Sequence, residues 1–145
     1  MKIINAPEYS VVIPERIEWQ NVENLLRQHD LVWYTDGSKT KDGVSLGIYN
    51  KSMQISISTS RGNLMTVYQA EILALSKCIE TMLEKQIKDK NIVICSDSKS
   101  ALLTLKKDCI QSKIAHDCSL KLNKLAKDNK ITLMWVSGQN NIEEN

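Results

Sequence analysis

The chain has 145 residues and a formal net charge of +2; 42% of the residues are hydrophobic and 25% are charged. This length is typical of one domain, and the composition excludes a disordered, collagen-like or coiled-coil protein. No apolar run approaches the roughly 18 residues that a membrane helix needs, and the N-terminus lacks the features of a signal peptide, so we expect an intracellular protein without a membrane segment.

The first thirty residues precede the main pattern. Residues 1–12 show no clear period, which predicts an N-terminal arm. Pro14 is followed by acidic residues and a rough apolar stripe, which predicts a short helix that ends near Asp30. We therefore divide the chain into an N-terminal arm and short helix, residues 1–30, and a domain over residues 31–145.

Three strands are predicted next. Leu31 to Thr35 is a short apolar and β-favouring run that stops at a turn beginning with Asp36. Residues 44–50 and 53–59 are predicted to form two more strands. The short turns between the three strands indicate an antiparallel meander.

Helices and strands alternate in the remainder of the chain. In order, the patterns predict a helix over residues 67–86 capped by Thr66, a buried strand over 91–96, a helix that Ser98 caps and that continues to about Lys107, a helix over 112–129 and a strand over 131–136. Antiparallel strands followed by β-α-β crossovers predict an α/β protein with a mixed sheet and helices on its faces.

Three carboxylates, those of Asp36, Glu71 and Asp97, lie at positions where a binding or catalytic role is expected. Asp36 and Asp97 follow candidate central strands, at the sheet edge where α/β proteins bind ligands; alternatively, each starts a turn or caps a helix. Glu71 lies on the apolar stripe of its helix, where burial of a charge is costly without a partner, unless that edge of the helix faces solvent.

Convergence of the three acids would create an oxygen-only site. Oxygen ligands favour Mg²⁺ or Mn²⁺ over zinc, and paired ions of this kind suit phosphodiester hydrolysis. Residues 77–130 carry a net charge of +5, from twelve basic and seven acidic residues. That stretch is either a solvated helix surface or a surface for nucleic-acid phosphates.

Four short motifs in this order resemble those of ribonuclease H domains. They are Tyr34-Thr35-Asp36-Gly37-Ser38, Gln69-Ala70-Glu71, Cys95-Ser96-Asp97-Ser98 and Trp135-Val136-x-Gly138. The resemblance covers roughly residues 31–145, and it is greatest to the domain at the end of non-LTR retrotransposon reverse-transcriptase polyproteins.

The resemblance implies a ribonuclease H-like mixed five-stranded sheet with flanking helices. It also implies hydrolysis of the RNA strand of RNA–DNA hybrids by in-line attack of a water. Asp36, Glu71 and Asp97 would be catalytic and would bind Mg²⁺ or Mn²⁺, in a protein that we expect to be a monomer.

Nucleic-acid contacts are predicted at two places. Gly37, Ser38 and Ser98, beside the catalytic acids, would contact the substrate, although helix capping is an equal alternative for the serines. Further contacts with the phosphate backbone are predicted for Lys85, Lys88 and Lys90, in and after the first long helix.

The C-terminal segment departs from the family pattern. Ser137 replaces a proline, Gln139 replaces the loop histidine of the family and cannot titrate, and Asn141 and Glu144 replace two glycines. The family's fourth carboxylate would lie beyond Asn145. We therefore expect impaired cleavage, unless Glu143 or Glu144 takes its place.

Two other functions remain open at this stage. One is a degenerate, non-catalytic nucleic-acid-binding or interaction module derived from a retroelement. The other is an acid-lined, metal-free domain that binds a partner. The sequence that follows Asn145 in the gene would discriminate the first of these from the enzyme.

Overall fold

The computed structural model describes residues 3–15, 21–41, 43–53, 55–61, 65–107, 109–110 and 112–137. Strands in these residues are β1 (Ile3–Ile4), β2 (Ser10–Val12), β3 (Leu31–Thr40), β4 (Gly43–Asn50), β5 (Ile55–Arg61), β6 (Asn91–Ser96), β7 (Cys109–Ile110) and β8 (Lys130–Trp135). The helices are α1 (Val22–Arg27), α2 (Val67–Glu84), α3 (Lys99–Lys106) and α4 (Lys113–Ala126).

The main sheet is mixed, as the sequence predicts. Its strand order is β2-β8-β6-β3-β4-β5. Strands β3, β4 and β5 pair antiparallel, while β6 pairs parallel with both β3 and β8. The five predicted strands are therefore confirmed as the body of a ribonuclease H-like sheet, and β2 adds a sixth, short strand at one edge.

The N-terminal arm contributes two short strands that its sequence does not predict. Ser10–Val12 pairs parallel with β8, and Ile3–Ile4 pairs antiparallel with β7. The side chains of Asn5 and Tyr9 donate hydrogen bonds to the Leu105 carbonyl, at 3.2 and 2.6 Å. These partners lie about a hundred residues away in sequence, so no local pattern reveals them.

The short N-terminal helix is present as Val22–Arg27. Residues 16–20, which the prediction also included, lie outside the described residues. Val22 and Leu26 pack against the sheet together with Val93 of β6 and Met134 of β8. The division of the chain at residue 30 stays a prediction.

Strand β3 is longer than its sequence pattern indicates. Asp36-Gly37-Ser38 was predicted to end the strand, but β3 continues to Thr40 because β4 pairs with it from Tyr34↔Tyr49 to Thr40↔Gly43. The turn comes after Thr40, and Gly43 takes a positive φ of 135°, which favours glycine. Asp36 therefore lies within a strand, just after the parallel pairing with β6 ends at Thr35↔Ser96.

The two faces of the sheet are covered unequally. Helices α2, α3 and α4 pack on one face over the larger core, which includes Ile92 and Ile94 of β6. Helix α1 packs on the other face, against Val93 and Cys95 of the same strand. None of the helices in the described ranges combines the length and hydropathy needed to cross a bilayer.

Candidate metal centre

Three carboxylates from three elements meet at one edge of the sheet. One carboxylate oxygen each from Asp36, Glu71 and Asp97 lies within 4.8 Å of the others. Asp36 comes from β3, Glu71 from α2 and Asp97 from the residue after β6. Glu71 is buried, whereas the two aspartates are exposed.

The position of Glu71 depends on how α2 begins. Thr66 caps the helix: its hydroxyl accepts from the Gln69 N–H at 3.0 Å, and the Gln69 side chain accepts from the Thr66 N–H at 2.9 Å. This reciprocal pair satisfies two backbone donors at the helix start. Glu71 then lies in the second turn and faces the sheet.

Gly37 allows the helix to approach β3 closely. A Cβ atom at this position would lie 2.5 Å from the carbonyl carbon of Ala70 and 2.5 Å from the Glu71 nitrogen. The Gly37 N–H also donates a short hydrogen bond to Glu71 Oε1. Because Gly37 has no side chain, its backbone N–H reaches the carboxylate of Glu71. This contact fixes the Glu71 carboxyl group beside Asp36.

Burial and neighbouring acids hold Glu71 near its protonated form. The pKa of Glu71 is raised to about 8, first by burial and then by a hydrogen bond to Asp97 and by the charges of Asp97 and Asp36. The hydrogen bond from Gly37 acts against this rise. Burial and then the charge of Asp97 also raise the pKa of Asp36.

Repulsion between neighbouring acids contributes to both shifts, after burial. Carboxylates held close together disfavour one another's ionised forms. A divalent cation would relieve this repulsion, and an oxygen-only donor set is the kind that hard cations prefer. The three residues therefore fit a divalent metal ion.

Asp97 is positioned by contacts of the chain around it. Strand β6 ends at Ser96, and the Ser98 N–H donates to the Ser96 hydroxyl at 3.1 Å. The indole Nε1–H of Trp135 donates to the Asp97 carbonyl at 3.1 Å. The link between β6 and α3 is thus held from within and from the neighbouring strand.

The predicted substrate contacts next to the acids have different local roles. Gly37 provides the close approach of α2. The Ser98 hydroxyl caps α3 by accepting from the Ala101 N–H at 3.3 Å, which is the alternative that the sequence left open. Ser38 is half-buried, and it lies two residues after Asp36, on the same face of β3. Contact of these three residues with nucleic acid stays a prediction.

The three predicted lysines lie far from the carboxylates. Lys85 follows the C-terminal end of α2, fourteen residues after Glu71, which corresponds to about 21 Å along the helix at about 1.5 Å per residue. Lys88 and Lys90 precede β6 and are exposed. They lie at the amino edge of that strand, whereas Asp97 follows its carboxyl edge. The structure does not bring them together with the acidic cluster.

The C-terminal part of the predicted site is not described. Gln139, Glu143 and Glu144 lie outside the described residues. Sequence reasoning missed two residues that shape the site: Ala70, which is fully buried where α2 meets Gly37, and Trp135, whose indole reaches Asp97. Both stand in the quoted motifs, but their roles depend on contacts between distant elements.

A mixed sheet with three carboxylates converging beside its central strands defines an α/β domain with an acidic site. The chain matches the RNase H family over residues 28–145, and it therefore belongs to that family. A search of curated proteins finds no match.

Among solved structures, the chain is similar to RNase H1 from the halophilic archaeon Halobacterium salinarum NRC-1. The TM-score is 0.59 at 17% sequence identity, and the alignment covers 77% of this chain and 88% of that one. This likeness confirms the fold.

Proposed function

We propose that this domain is a metal-dependent ribonuclease H that hydrolyses the RNA strand of RNA–DNA hybrids. The observation that carries the proposal is the convergence of Asp36, Glu71 and Asp97 within 4.8 Å, in a chain of the RNase H family. We further propose that the ion is Mg²⁺ or Mn²⁺, because all the ligands are carboxylates.

The three carboxylates of this site differ in their exposure to solvent. The exposed carboxylates of Asp36 and Asp97 are open to solvent and to a substrate phosphate, while the buried Glu71 closes the site on the side of α2. When bound, divalent ions supply activation of a water and stabilisation of the leaving oxygen. Gly37 holds Glu71 in place through its N–H, so the fold itself orients this ligand.

Three finer assignments rest on the sequence. The motifs around Asp36, Glu71 and Asp97 support a domain of the non-LTR retrotransposon type. We propose a monomer in an intracellular compartment; the four cysteines are free, and free thiols are typical of reducing compartments.

The proposal is tested by cleavage of a labelled RNA–DNA hybrid in Mn²⁺, in Mg²⁺ and in EDTA. We expect cleavage of the RNA strand in Mn²⁺ and in Mg²⁺ but not in EDTA, with 5′-phosphate and 3′-hydroxyl ends. RNA duplex and DNA duplex of the same sequence are the substrate controls. Asp97→Asn removes one ligand and should abolish the cleavage.

Asp128→Asn is the matched control, because Asp128 is an exposed aspartate in the loop between α4 and β8. It should leave cleavage unchanged. Binding of the hybrid without cleavage by the wild-type chain would contradict the enzyme and favour the non-catalytic module. Equal cleavage by the wild type and Asp97→Asn would show a contaminating nuclease rather than this site.

A further inference from the structure

Asp97 is the one carboxylate of the cluster that lies outside regular secondary structure. Asp36 is held in the β3–β4 ladder and Glu71 in α2, but the pairing of β6 with β8 ends at Ser96↔Trp135. Asp97 joins that strand end to the cap of α3. Its position relative to the other two acids therefore depends on contacts of the link itself.

Trp135 makes such a contact from the neighbouring strand. Its indole Nε1–H donates to the Asp97 carbonyl oxygen at 3.1 Å. The backbone of the next residue continues the pairing of β8 with β6, since the Val136 N–H donates to the Ser96 carbonyl at 2.9 Å. Two successive carbonyls, that of Ser96 at the end of β6 and that of Asp97 in the link, thus accept hydrogen bonds from Val136 and Trp135.

Two further contacts hold the indole ring of Trp135 in place. It is half-buried and packs against the main core. The ammonium group of Lys99, the first residue of α3, lies 5.4 Å from the ring centroid, a distance typical of a cation–π contact. Lys99 thereby ties the start of α3 to the same ring that holds Asp97.

We propose that Trp135 is a positioning residue for Asp97: its indole N–H fixes the backbone of the link, so that the Asp97 carboxylate stays within reach of an ion shared with Asp36 and Glu71. The inference rests on the proposed function of the site. It assigns to Trp135 an effect on metal affinity that is separate from its packing in the core.

The test is Mn²⁺ affinity, measured by calorimetry on the full chain without nucleic acid. Trp135→Phe keeps an aromatic ring under Lys99 but removes the N–H donor. Loss of a group that orients a metal ligand costs about 10–100-fold in metal affinity, and we expect a loss in that range. Cleavage of the hybrid by the variant should recover as the Mn²⁺ concentration is raised, because the ligands themselves remain.

Trp33→Phe is the matched control. Trp33 is fully buried in β3, and its Nε1 has no hydrogen-bond partner among the described residues. This variant should lower the free energy of unfolding through lost packing without changing Mn²⁺ affinity. A purely structural role of Trp135 would give the same result at both positions.

A second form of the test removes the donor with little change of shape. Replacing Trp135 with 3-benzothienylalanine puts sulfur in the place of the N–H, which keeps the protein testable if Trp135→Phe does not fold. Unchanged Mn²⁺ affinity in the folded variant would overturn the inference. An absence of Mn²⁺ binding by the wild type would instead overturn the proposed function, and the inference with it.

Discussion

The contact between Gly37 and α2 gives the sharpest prediction. Substitution of Gly37 by alanine would place a Cβ atom 2.5 Å from two backbone atoms of α2 and 2.6 Å from the Ala70 carbonyl oxygen. These are backbone atoms, so no side-chain rotation relieves the overlap. The helix has to move away from β3, and Glu71 has to move with it.

The magnitude follows from two costs and one gain. Overpacking of this kind costs about 1–3 kcal/mol, and the lost hydrogen bond from Gly37 to Glu71 costs about 1 kcal/mol more. Alanine in place of glycine within a strand recovers about 0.5–1 kcal/mol. We therefore expect Gly37→Ala to lower the free energy of unfolding by about 1–3 kcal/mol and Mn²⁺ affinity by at least about tenfold.

Gly47→Ala is the control on the paired strand, since Gly47 lies opposite Asp36. A Cβ atom there meets the Asp36 carbonyl oxygen at 3.9 Å, an ordinary contact, so stability should be unchanged or rise by up to about 1 kcal/mol. Urea unfolding in EDTA and Mn²⁺ calorimetry measure both variants. Equal stability and equal affinity of the two would refute the close-approach argument.

Three further predictions concern protons, a helix cap and the thiols. The pKa of Glu71 is about 8 in the folded chain and 4.5 when unperturbed, so folding takes up a proton at pH values between these two. Without metal, the free energy of unfolding should therefore fall as pH rises from 4.5 to 8, by up to about 1.4 kcal/mol per pH unit. Measured by urea unfolding, the free energy of unfolding of Glu71→Gln should depend less on pH. Thr66→Ala removes one half of the capping box and should lower the free energy of unfolding by about 0.5–2 kcal/mol. An unchanged midpoint of urea unfolding would contradict this. Cys109 is exposed while the other cysteines are buried, so a thiol reagent should modify one cysteine in the native chain and four after denaturation; rapid native modification of Cys78, Cys95 or Cys118 would contradict the described core.

Local pattern determined the elements that carry the acids. The three-and-four spacing of apolar residues and the cap at Thr66 predicted α2, and the unbroken apolar run before Asp97 predicted β6. Glu71 on the apolar stripe predicted a buried carboxylate, which the structure confirms. Periodicity and capping involve residues within a few positions of one another, so the sequence alone displays them.

Tertiary structure decided what depends on partners far along the chain. Strand β3 extends past Asp36 because β4 offers its backbone a partner, and Ser10–Val12 becomes a strand because β8 does. Lys85, Lys88 and Lys90 belong to the same basic stretch of the sequence as Asp97. The length of α2 nevertheless places them at the opposite edge of the sheet. The indole of Trp135 meets Asp97 only through the register of β8 on β6. Hydrogen bonds between strands and the packing of a helix on a sheet join residues tens of positions apart, and no short window of sequence contains both members of such a pair.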